Sequence, residues 1–112
     1  MSTLELQKIE QSIKQSQKVV DLGESLERLA SNRDFKKVIL EGYFEQEAIR
    51  LVHLKSDDNM QSYESQEAIE KQMTGIGAFS TYLSTLRTRA QMAVNAVAAD
   101  EQTRNELLEE GV

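Results

Sequence analysis

From Ile69 to Val97 an apolar or small residue returns every three or four positions: Ile69, Met73, Ile76, Phe79, Leu83, Leu86, Ala90, Ala93 and Val97. That spacing gathers them on one side of an α-helix. A helix striped in this way must lay that side against its own chain or a partner. The chain contains no proline and only five glycines, so the usual breakers of helix interiors are scarce. No segment shows the period-two alternation of Val, Thr and aromatic residues with turn glycines that hairpins need. The expected fold class is therefore all-α: an elongated antiparallel helical hairpin, or a three-helix bundle, with a long C-terminal helix.

A length of 112 residues suits one helical domain, 1–112, and is too short for two cores of ordinary size. Helices are expected at about 3–30, 34–54 and 63–99, followed by a short acidic tail at 100–112. In the first, Leu6, Ile9, Ile13 and Val20 form an apolar face that Ser16 interrupts, and Leu22, Leu26 and Leu29 continue on a neighbouring face. Gly23 lies between them and permits a bend or break. Ser31 with Asp34 resembles a capping box, and Asn32 is an alternative cap; either marks an internal boundary.

The second helix carries Phe35, Val38, Ile39, Phe44, Ile49, Leu51 and Val52, more than one narrow stripe, which implies contact from two sides. Gly42 allows close approach, a kink or a chain reversal there. The run Ser56-Asp57-Asp58-Asn59 reads as a turn. Ser62 then caps the third helix, with Glu64 and Glu67 in its first turns, where the helix dipole favours anions. Gly75, Gly77 and Ala78 would admit a neighbouring backbone while weakening the helix. From Ala90 to Ala99 one side is nearly all Ala, Val and Met, a face for tight helix packing or a marginal tip.

Chemistry is sparse. Without cysteine there is no disulfide, no thiol nucleophile and no thiolate metal site. His53 is the single histidine and has no spaced partner, so acid–base or metal chemistry is not expected of it. Glu41 with Glu45, near Lys37, and Glu67 with Glu70 or Lys71, read as solvated helix faces. No glycine-rich phosphate loop or nucleophile triad is present. The expected protein is not an enzyme and has no cofactor, metal or small-molecule substrate.

The formal charge of −6 is unevenly placed. Residues 1–58 hold eleven acids and nine bases, 59–98 three of each, and 99–112 five acids against Arg104. Direct nucleic-acid binding is disfavoured, since it needs clustered Lys and Arg. No apolar run approaches the ~20 residues of a membrane span, and the first residues lack the basic start and apolar core of a secretory signal.

Scale then points to a partner. A compact chain of this length is roughly 35 Å across, whereas a helix of ~35 residues measures about 50 Å. The stripe should outrun a compact body. Its candidate interface residues are Ile76, Phe79, Tyr82, Leu83, Leu86, Arg87 and Arg89. The arginines lie in the acid-free stretch between Glu70 and Asp100, suited to acids of a partner or to Glu106, Glu109 or Glu110 of another copy. Tyr43, Phe44, Tyr63, Phe79 and Tyr82 are the bulky anchors.

The runs Leu26-Glu27-Arg28-Leu29, Asp34-Phe35-Lys36-Lys37, Glu41-Gly42-Tyr43-Phe44-Glu45 and Glu47-Ala48-Ile49-Arg50-Leu51-Val52 carry a family resemblance. With Ile76-Gly77-Ala78-Phe79 and Tyr82-Leu83-Ser84-Thr85-Leu86, the region of about 26–86 resembles small, largely uncharacterised all-helical proteins from tailed-bacteriophage virion and head-assembly gene modules. The resemblance implies a structural or assembly protein in the virion or the host cytoplasm, as a homo-oligomer or within a larger viral assembly. It transfers no catalytic or binding residue. The competing expectation is a small acidic phage regulator that binds and modulates a host enzyme.

Overall fold

A computed structural model describes residues 2–111, and among them the chain is all helical, with no strand. Helix α1 spans Ser2–Ala30. Helix α2 is one helical rod built from an α-helical turn Arg33–Phe35, a π-helical stretch Lys36–Glu47 and an α-helical stretch Ala48–Lys55. A 3-10 turn, Asp58–Met60, leads into α3, Tyr63–Glu110. The all-α class with a long C-terminal helix follows as expected, and α3 packs on α1.

The contacts divide the chain into two compact units: Met1–Glu27 with Thr85–Val112, and Arg28–Ser84. In the first unit α1 and the C-terminal half of α3 run antiparallel. Ser12 Oγ donates to Asp100 Oδ2 at 2.7 Å, Gly23 lies against Ala90, and Arg87 Nε donates to Glu27 Oε1 at 3.1 Å. The covered residues of α1 in this unit are Leu6, Ile9, Ile13, Ser16, Val19, Val20, Gly23 and Leu26; those of α3 are Leu86, Ala90, Ala93, Val97, Asp100, Arg104 and Leu107. The α3 series steps alternately by four and three, a 3.5-residue period, and Leu6 to Gly23 of α1 holds the same spacing with Val19 and Leu26 beside it.

This repeat explains why α3 runs on past Ala99 to Glu110 instead of ending in a tail. Asp100, Arg104 and Leu107 hold the same seam, and no breaker intervenes before Gly111. Asp100 is polar but has Ser12 opposite it, so the register survives its charge. Gly23 does not bend α1. A Cβ built there would overlap that of Ala90, so the glycine is what lets the two helices approach this closely. Its backbone entropy cost of about 0.5–1 kcal/mol is set against that contact. The Ala90–Ala99 tract is accordingly a tight packing face, with Ala93 buried.

In the second unit Asn32, not Ser31, caps α2. Its backbone is extended, and its side-chain oxygen accepts the Phe35 N–H at 2.9 Å. The π-helical stretch also changes the reading of α2. The covered residues recur as Phe35, then Ile39 and Leu40, then Tyr43 and Phe44, then Glu47 and Ala48. That interval is closer to the ~4.4 residues per turn of a π-helix than to 3.6. Wider winding keeps these residues on one side and leaves Val38 exposed; Ile49 and Val52, on the α-helical stretch that follows, are exposed as well. Gly42 neither reverses nor breaks the chain. A Cβ there would come within 3.1 Å of the Lys37 carbonyl oxygen, a tight fit imposed by the helix's own winding.

The core of this unit is small. Leu51, Ile69 and Ile76 are buried, and Tyr43, Phe44, Ala48, Leu54, Met60 and Met73 pack around them. The connection is held by side chains. Asp57 accepts the Asn59 N–H at 2.8 Å, and the Gln66 amide donates to the carbonyls of Lys55 and Met60 at 3.0 and 2.8 Å. Lys55 Nζ reaches Glu70 at 2.9 Å, tying the end of α2 to the start of α3. Ser62 caps α3 as its sequence implied, accepting the Ser65 N–H at 3.1 Å.

Candidate interaction surface

The seven residues singled out along the stripe fare differently. Ile76 is taken into the core, at 8 % exposure. Leu83 and Leu86 are half-buried. Phe79 closes an aromatic cluster with Tyr43 and Phe44, its ring centroid 6.1 and 5.4 Å from theirs in edge-on arrangements, and still keeps 39 % of its surface open. Tyr82 is exposed. Arg87 is engaged by Glu27, so it is not the free cation its sequence context suggested. Arg89 is exposed, in no ion pair among the described residues, and lines a groove.

That groove lies between α1 and the C-terminal half of α3 and was not read from the sequence. Gln15, Ser16 and Val19 of α1 and Arg89, Met92, Ala93 and Ala96 of α3 line it, and Arg89 supplies the only charge. Met92 stands 64 % exposed at its edge. Two signals were available in the residues: Ser16, which breaks the apolar face of α1, and the alanine tract, which supplies no bulk to fill the space opposite. Small side chains on both helices leave a depression between them.

Other parts of the surface carry charged side chains. Ser31, Arg33, Lys36, Lys37 and Glu41 line a shallow polar groove at the start of α2. Lys71 Nζ reaches Glu67 at 2.9 Å, and this hydrogen bond, helped by a second from Tyr63, holds the Glu67 carboxyl below its ordinary pKa. Arg50 bonds Glu47 one turn away, which raises the already high guanidinium pKa. His53 is exposed in the last turn of α2. Among the described residues no group of three or more acidic, histidine or cysteine side chains is placed to hold a metal ion. No described helix is long and apolar enough to cross a membrane.

Among the described residues five hydrophobic side chains are buried, while twelve large ones, from Leu4 to Leu108, are exposed. Single exposed apolar residues are ordinary; so few buried ones are not. No protein-family model, curated protein or solved structure matches the chain.

Proposed function

We propose that this chain is a non-enzymatic structural or assembly protein that works by helix–helix packing. The carrying observation is the imbalance between buried and exposed apolar side chains among the described residues. A protein that leaves this much apolar area in water gains by covering it, and regular helix faces are suited to repeated, symmetric contacts. Homo-oligomers or a larger particle are the natural setting. The resemblance of residues 26–86 to proteins of phage virion and head-assembly modules supports placing that particle in a bacteriophage, in the virion or the infected cytoplasm.

Fractionation of cells that make the protein naturally tests this reading. The chain is expected in high-mass fractions with particles or their precursors. Recovery with one host enzyme in a small stoichiometric complex would instead favour the regulatory alternative and overturn the structural one.

A further inference from the structure

The shallow groove at the start of α2 is lined by three cations, Arg33, Lys36 and Lys37, with Ser31 and a single acid, Glu41. The three cations are exposed, and among the described residues none is in an ion pair, with Glu41 or with any other acid. The last five described residues of α3 have the opposite character. Glu106, Glu109 and Glu110 are exposed, no base lies in that last turn, and none of the three is in an ion pair among the described residues.

Both groups stand where their own helix disfavours them. Cations in the first turns of α2 face the positive end of its dipole, an effect that Asp34 offsets only in part; acids in the last turn of α3 face the negative end. Neither group adds to the stability of the single chain through its helix or through an ion pair. Each is matched in sign by the other.

We infer that the groove at the start of α2 seats the acidic last turn of α3 from a second copy of this chain. The inference deepens the assembly reading proposed above and rests on it. Charge complementarity selects the occupant. Copies with a formal charge of −6 repel on average, so a local match of opposite sign decides where they meet. The arginines of α3 offer a poorer match, because Arg87 is held by Glu27 and Arg89 brings one charge. Exposed ion pairs set orientation and register more than affinity. Each end also has an apolar side chain to cover: Leu29, two residues before Ser31, is 45 % exposed, and Leu108, beside Glu109, is 50 % exposed. Groove and tail are different surfaces, so every copy can give one and receive the other, and a closed set of copies leaves neither unused.

The experiment measures the mass of the full chain at low salt beside two charge reversals, Lys36→Glu with Lys37→Glu, and Glu109→Lys with Glu110→Lys. Wild type is expected at twice the single-chain mass or more, falling as salt is raised. Each reversal alone should give single-chain mass with its helical circular dichroism kept, since it installs the sign that its helix end favours. An equal mixture of the two should recover the mass, because the reversed groove matches the reversed tail and the original match survives. If wild type associates but either reversal keeps its mass, or the mixture stays at one chain, the groove does not seat the tail: this assignment fails and the assembly reading stands. A wild type that remains a single chain at every concentration overturns the assignment through its parent reading.

Discussion

A methyl group added at Gly23 would overlap the Ala90 side chain, whereas one added at Gly77 meets nothing within 4 Å. The two positions look alike in sequence, each a glycine inside a helical pattern, and only the neighbouring helix tells them apart. Gly75 is nearer to Gly77 in kind: its added carbon would make an ordinary contact at 3.6 Å with the Tyr43 hydroxyl. The close backbone approach expected at Gly75 and Gly77 therefore occurs at Gly23. Gly77→Ala should stabilise the chain by about 0.5–1 kcal/mol through helix propensity, and Gly23→Ala should destabilise it by roughly 1–3 kcal/mol through overpacking. Urea denaturation of the two variants checks both signs. Glu67 adds a pH dependence at the same scale. Its carboxyl titrates below its unfolded value because Lys71 and Tyr63 hydrogen-bond the anion. The stability it contributes is complete above the ordinary glutamate range and disappears as pH falls through the lowered value. Glu67→Gln should thus leave a slightly shallower acid limb in a plot of stability against pH, and high salt should shrink the difference, since the pair is exposed.

At the scale of elements, the helix starts were legible where a single polar residue could do the work and ambiguous where two competed. Ser62 had no rival and caps α3. Ser31 and Asn32 were both credible before α2, and Asn32 prevails because the chain turns extended there, directing its amide oxygen at the Phe35 N–H. Asn32→Ala should cost about 1 kcal/mol and Ser31→Ala within about 0.5 kcal/mol, measurable by thermal unfolding. The winding of α2 was harder to see. Its apolar residues looked like two stripes because they were counted against 3.6 residues per turn. On a wider turn Phe35, Ile39, Phe44 and Ala48 fall into one line. The end of α3 was missed for a related reason: Asp100 and Arg104 hide the repeat from any reading based on hydrophobicity, although they keep its spacing. A seam position filled by a charge is recognisable only once its partner, here Ser12, is placed across from it.

For the molecule as a whole, the long stripe and the sparse first helix both pointed to a chain that would not enclose its own apolar surface. Among its described hydrophobic residues only Leu26, Leu51, Ile69, Ile76 and Ala93 are buried. Where the uncovered surface lies was not legible. The stripe itself is largely used internally, its members Ile69, Ile76 and Ala93 among the most buried residues. The open groove instead falls beside it, at positions such as Gln15 and Arg89 that no hydrophobic pattern selects. Sedimentation equilibrium of the wild-type chain across a wide concentration range is the most direct measurement of whether copies cover this surface. The mass should rise from one chain to a defined multiple and hold there. A mass of one chain throughout, with the helical signal intact, would contradict the assembly account.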